Sequence, residues 1–343
     1  MLNQYENFHC YCINITNMLT KDLPVKIIAQ FSFIPVIISS VWATILIVAY
    51  NEMDFRFLAI PFLPISLLGI AVSFYLGFKN NASYERQYEA RKNWGSITND
   101  SRAFMSLLET YIPKDGSDNM IEILKRHIAW LYAHTFFLRH KRMKWEHNKA
   151  INNKYRDKFQ KEFNINTNLA FDISKYISTE ELHEVENAVN KASKLLQIQS
   201  KSIKKLSERQ LIDDLRLIEL QNHITKLYEH QGKNERIKTF PLPRQYANYA
   251  NLFVLVFVAL LPLGLLSEMQ KINIWLTVPF SGLISWVFLQ MEMIGDYSEN
   301  PFEGLILDIP ITAITRNIEI EILEFIGEKE LPNTIKVKEG ILM

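Results

Sequence analysis

The chain has almost no cysteine. Cys10 and Cys12 are the only two in 343 residues, too few for a disulfide framework. Even with His9 beside them they leave a zinc site short of ligands, so no metal is expected. There is no surplus of charge either: 38 basic residues meet 37 acidic ones, which removes the electrostatic footprint of a nucleic-acid binder. No glycine-rich phosphate loop, nucleophile elbow or pair of carboxylates at catalytic spacing occurs, so an enzyme finds no support and no cofactor is expected. Internal repeats and low-complexity segments are missing as well. The opening two dozen residues are mostly polar, with Lys21 and Asp22 just ahead of the first apolar run. That is unlike a cleaved signal peptide, and the run is expected to stay.

What is present is long apolar runs. A mean hydropathy of −0.03 conceals two apolar regions flanking a charged middle. Four runs stand out, Phe31–Tyr50, Phe57–Phe78, Tyr249–Leu266 and Ile272–Ile294, each of a length that crosses a hydrocarbon core of about 30 Å. Pro35, Pro64, Pro262 and Pro279 would break soluble helices, but in a membrane bundle neighbouring groups re-satisfy the freed backbone. Lys21 and Lys26 precede the first run, and Lys79, Arg86, Arg91 and Lys92 follow the second, whereas the connection between them carries Glu52 and Asp54 against Arg56. The excess of lysine and arginine marks the cytosolic side. Both termini and the long middle therefore belong in the cytosol, and the chain in the plasma (inner) membrane. Two buried hairpins of a soluble protein are the alternative, and four such runs are too many for it.

The expected organisation is all-α. Residues 1–25 form a cytosolic N-terminal segment, 26–78 two transmembrane helices, and 79–247 a helical cytosolic domain. Residues 248–295 form two further transmembrane helices, and 296–343 an acidic motif, a last helix and a tail. Within the middle, Ile121–His147 has helical spacing and turns basic toward its end, Asn148–Asp172 is mixed and turn-prone, and Glu180–Leu196 and Ile203–Tyr228 read as amphipathic helices. Pro241 and Pro243 mark the return to the membrane.

The second run, FLAIPFLPISLLGIAVSFYLGF, passes without a break into KNNASYERQYEARKNWG, as one helix leaving the bilayer would. Ile70, Phe74 and Phe78 recur every fourth residue and share a helical face. Such a stripe is core packing in many helices; in a ring of copies it makes successive apolar collars around a pore. Asn80, Asn81, Arg86, Glu89 and Arg91 suit ion pairing between helices more than ion contact. Glu52 and Asp54, repeated around an outer mouth, concentrate cations, or else only mark an exported loop. His127, His134, His140 and His147 fall near one helical face, yet no cysteine or carboxylate completes a metal set, so a satisfied helix is expected there.

Two stretches carry a family resemblance. GFKNNASYERQYEARKNWG (Gly77–Gly95) and DYSENPFEGLILDIPITAITRNIE (Asp296–Glu319) resemble the bestrophin family of ion channels, in its bacterial branch, and the helix order and Pro-x-Pro before the third span agree. The resemblance implies an all-α homopentamer around one central pore that passes monovalent ions, with its own copies and the lipid bilayer as partners. It implies a narrow neck on Ile70, Phe74 and Phe78 and a cytosolic aperture on Leu215. Animal members pass anions and bacterial members are linked to cations; with the acidic outer loop this tips the expectation toward sodium over chloride. The sequence departs from the family at Gln87-Tyr88 and at Glu303-Gly304. Asn300 and Asp308 fall on positions of the calcium clasp of animal members. Leu305 and Tyr297 replace other clasp positions, and two survivors fall short of the six to eight oxygens calcium takes. Two other readings stay open: a carrier, for which Ser66, Ser73 and Ser285 are the few polar candidates, and a non-conducting scaffold that uses the tail VKEGILM.

Overall fold

The computed structural model describes residues 25–343 except 148–149, 164, 166–167, 307 and 339–340. His9, Cys10, Cys12 and almost all of the 1–25 segment lie outside the described residues. Among those described, four helices are long and apolar enough to cross a membrane: α1 (Val25–Glu52), α2 (Phe62–Tyr111), α9 (Arg244–Met269) and α10 (Thr277–Ser298). At 50 residues, α2 is about 75 Å long, far more than a bilayer needs. It confirms that the second apolar run and the polar stretch after it are one helix. Its start is later than the apolar run suggests, because Arg56–Leu58 close a 3-10 turn and Pro61 is extended.

The prolines are accommodated in two ways. Pro64 and Pro279 are each the third residue of their helix, in the first turn, where a backbone N–H has no partner to lose. Pro35 and Pro262 lie inside α1 and α9.

In the apolar layer α1 packs on α10, while α2 packs on both α9 and α10. Ile65, Val72 and Leu76 of α2 meet Val254, Phe257 and Leu261 of α9 in a small buried core. Gly69 is required at this crossing, since a Cβ there would stand 2.8 Å from the Phe257 ring.

The polar layer is built on the far half of the same helix. Ala90, Trp94, Ile97, Phe104 and Leu108 of α2 join buried residues of α3 (Ser117–His140), α7 (Lys191–Glu208), α8 (Asp214–Thr239) and α11 (Ile311–Phe325) in the main hydrophobic core. One helix is thus the spine of both layers.

End signals divide this layer more finely than periodicity suggests. The helix expected through His147 stops at His140, and residues 141–147 turn away. The segment expected to be turn-prone holds α4 (Ala150–Glu162) and the short α5 (Leu169–Ile173); Phe159 of α4 is buried with Phe163, Ile306, Ile341 and Met343. The helix expected over 180–196 is broken into α6 (Thr179–Glu186) and the start of α7, where the Asn190 side chain accepts from Ser193 N at 3.0 Å. The one expected over 203–228 is broken before Asp214, where Asp213 accepts from Arg216 N at 2.8 Å. In both cases a capping side chain supplies the acceptor that a helix N-terminus lacks.

Candidate functional site

The face of α2 that does not pack is the candidate. Ile70, Phe74 and Phe78 are 57%, 67% and 66% exposed, although Ile65, Gly69, Val72 and Leu76 on the other side are buried. The helix has committed one side to α9 and α10 and left a stripe of large apolar groups without partners in its own chain. Collars at this spacing stand about 6 Å apart along the axis.

The stripe continues past Phe78. Asn81, Tyr84, Glu85, Tyr88 and Lys92 are exposed in line with it. The Tyr84 and Tyr88 rings stack at 6.1 Å, and the Asn81 amide donates to Glu85 Oε1 at 2.9 Å. Sequence analysis did not single these out as a lining. The signal was the unbroken recurrence of 81, 84/85, 88 and 92 in register with 70, 74 and 78. Leu215, the second residue of α8, is 80% exposed, and its neighbour Arg216 donates to the Tyr111 carbonyl at 3.4 Å. That places Leu215 beside the far end of α2, about 50 Å along the helix from Phe78. The structure brings Ile70, Phe74 and Phe78 together on one exposed stripe and sets Leu215 at the opposite end of the same helix.

Of the polar residues just past this stripe, Arg86 and Glu89 tie α2 to other helices as expected, whereas Asn81 bonds within α2 and Arg91 is exposed. Lys79 is fully buried and donates to Glu292 of α10 at 2.8 Å. Arg86 Nε donates to the Glu299 carbonyl at 2.7 Å and its Nη2 to the Ile237 carbonyl. Glu89 pairs with Arg236 of α8 at 2.5 Å. Asn80 lies against Gly295, where a Cβ would meet its side-chain oxygen.

At the α1–α2 connection Glu52 is exposed, at the end of α1. Asp54, at φ 53°, pairs with Arg56 at 2.6 Å, and the Arg56 guanidinium sits over the Tyr50 ring at 4.7 Å.

The acidic segment after α10 is locked by bases. Glu303 is buried, and its carboxylate accepts from His147 Nδ1 and Arg156 Nη2, each at 2.9 Å. The other His147 nitrogen reaches Asp296 at 2.8 Å. Burial disfavours a charged His147, but the Asp296 and Glu303 carboxylates outweigh it and raise its pKa to about 10. Glu299 accepts from Arg244 at 2.8 Å. Asp308 accepts from Arg139 Nη1 at 2.8 Å and from the Gly304 amide; burial raises its carboxyl to about 6 against the pull of Arg139. Asn300 is half-buried beside this set. A calcium clasp needs six or more free oxygens; Glu303 and Asp308 are taken by arginine and histidine, and Glu299 keeps a single oxygen, Oε2, without a partner. Calcium does not fit, and no group of three or more metal-ligating side chains is poised for a metal among the described residues.

The histidines do not form one face. His147 is off α3, while His127 and His134 are buried in it, bonded to Ser101 at 2.9 Å and Asn234 at 3.0 Å. Burial drives both pKa values down to about 3, so these rings are neutral.

Comparison with known proteins agrees with this layout. A family model described as bacterial/fungal bestrophin protein matches residues 25–324. A voltage-dependent anion channel-forming protein of Escherichia coli is 26% identical over 286 residues, 83% of each chain. One from Nostoc is 26% identical over 264 residues, 76% of each. The crystal structure of a bacterial bestrophin homolog from Klebsiella pneumoniae superposes with a TM-score of 0.75 at 24% identity, covering 87% of this chain and 99% of that one.

Proposed function

Because the chain belongs to the bacterial and fungal bestrophin family, we propose that it is a membrane channel through which monovalent ions pass passively, five copies surrounding one pore. The observation that carries this is the stripe of Ile70, Phe74 and Phe78, each more than half exposed on a helix whose other side is packed. Around a ring the three positions form successive apolar collars. Such a constriction holds water poorly, and an ion entering it loses hydration, which makes a barrier and a gate. Phenylalanine presents a partly positive edge and a partly negative face, so ring orientation biases the neck toward one ion sign. Below it Asn81, Tyr84, Glu85, Tyr88 and Lys92 line a wetter vestibule, and Leu215 narrows the exit. The α1–α2 and α9–α10 hairpins cross the plasma membrane, with both termini and the polar layer in the cytosol.

The lean is to cations, sodium over chloride. Glu52, exposed at the end of α1, and Glu85 on the stripe support it. The second reading is an anion pore: relatives carry anion-channel names, and Asp54 is already neutralised by Arg56. Purified protein in a planar bilayer under a sodium chloride gradient separates them. A reversal potential near the sodium equilibrium value upholds the cation reading, and one near the chloride value upholds the other. No current from an intact oligomer would leave the carrier and scaffold readings instead.

A further inference from the structure

A cavity of about 370 Å³ lies between α3, the turn after α5, α11 and the chain that follows α11. Its size suits a small molecule, and no neck residue lines it. Glu319 of α11, in the lining, is fully buried. The hydroxyls of Tyr132 and Tyr176 donate to its two carboxylate oxygens, and burial raises the pKa of both tyrosines, so they remain donors. The two rings lie nearly parallel with centres 6.4 Å apart. Arg316 stands 3.2 Å from Glu319 Oε2.

One group enters this site from the solvent side. Lys175, whose side chain is 50% exposed, holds its ammonium 4.8 Å from the Tyr176 ring centre, 5.9 Å from that of Tyr132 and 3.6 Å from Glu319 Oε1. The rings and the carboxylate are therefore within reach of an ammonium that comes in through the cavity. Ring faces attract such a cation, which is how aromatic cages hold alkylammonium ligands. At 3.6 Å the lysine makes no hydrogen bond to Glu319, and an ion pair this exposed contributes little, so Lys175 is a weak occupant. The outer wall adds two carboxylates. Glu328 pairs with Lys125 at 2.7 Å, whereas Glu330 is exposed and in no ion pair among the described residues. Leu323 and Leu331 supply apolar lining.

We propose that this cavity binds an aliphatic diamine or polyamine. One ammonium takes the place of Lys175 Nζ over the two tyrosines and beside Glu319, the methylene chain lies against Leu323 and Leu331, and a second ammonium meets Glu330. A dication suits a lining of three carboxylates against two lysines, one of which the ligand displaces. Hydrogen bonds between such charged groups are the stronger ones. Because Glu319 of α11 also holds Tyr132 of α3, the occupant is tied to the packing of those two helices. This goes beyond ion conduction and does not depend on it.

The test is calorimetric titration of the full-length protein, in nanodiscs of zwitterionic lipid, with 1,4-diaminobutane, against butylamine and 1,4-butanediol. Expected is one saturable site per chain for the diamine, with butylamine about tenfold weaker and the diol not bound. Lys175→Ala removes the competing ammonium and should tighten both amines severalfold. Glu330→Gln should weaken the diamine severalfold and leave butylamine as it was. Both substitutions are at exposed positions, and melting temperatures show the variants folded. Absence of saturable heat from the diamine with both the wild type and Lys175→Ala overturns the proposal. So does an affinity that Lys175→Ala leaves unchanged or weakens, since the ligand then does not take the lysine's place. Butylamine binding as tightly as the diamine would overturn the role of Glu330.

Discussion

The apolar stripe of α2 and the acidic segment after α10 are treated in opposite ways by the fold. Ile70, Phe74 and Phe78 are the groups a folded chain ordinarily hides, and they are exposed. Glu299, Glu303 and Asp308 are groups it ordinarily shows to water, and their side chains are buried with arginine and histidine around them. A buried charge is tolerated only when paired, so the second arrangement reports intramolecular structure. Exposed large apolar groups in a row report the reverse, a surface whose neighbours lie outside the subunit. The inversion separates what the chain uses to stand up from what it leaves facing outward.

Several substitutions sharpen this contrast. The largest effect is expected at the hub of the locked segment. Glu303→Gln leaves Arg156 buried without its counter-charge and His147 with Asp296 alone, at a cost of about 3–5 kcal/mol, read as a large fall in melting temperature with loss of oligomer. His147 comes next and acts through pH. Its folded pKa of about 10 lies above the ordinary 6.5, so its stabilisation is full below pH 6.5 and is lost as pH rises toward 10. The wild-type protein should therefore lose stability between pH 6.5 and 10, and His147→Gln should flatten that loss. Equal slopes in the two proteins would mean that His147 does not carry charge in the folded state.

A smaller effect is expected at the crossing of α2 with α9. Gly69→Ala drives a methyl into the Phe257 ring and should cost about 1–3 kcal/mol, measured as a lower melting temperature. Pairing it with Phe257→Leu should recover part of the loss. The smallest is calcium, for which no effect is expected: chelator or millimolar calcium should leave currents as they are, because Asp308 is held by Arg139 and nearby Glu303 by Arg156 and His147.

Much of the frame was legible in the residues. The four apolar runs, the continuity of α2 and the face shared by Ile70, Phe74 and Phe78 follow from length and period alone. The parts that were not legible depend on distant partners. Helix α4 has little apolar content, and its Phe159 becomes a core residue only against Ile341 and Met343, far along the chain. Glu303 looked like a departure from the family pattern and proved to be a hub because Arg156 and His147 reach it across roughly 150 positions. The breaks before α7 and α8 follow from Asn190 and Asp213, caps whose residue types also occur mid-helix. The tyrosine pair on α2 was visible in spacing, but only the exposure of the whole stripe gives it meaning.

The neck is tested most directly by single-channel recording of the Ile70→Ala, Phe74→Ala, Phe78→Ala triple variant beside the wild type. With the collars removed, conductance should rise by about tenfold, equivalent to about 1.4 kcal/mol off the barrier. The oligomer should stay intact, since none of the three side chains is buried in its own subunit. Conductance equal to the wild type from an intact oligomer would contradict the account.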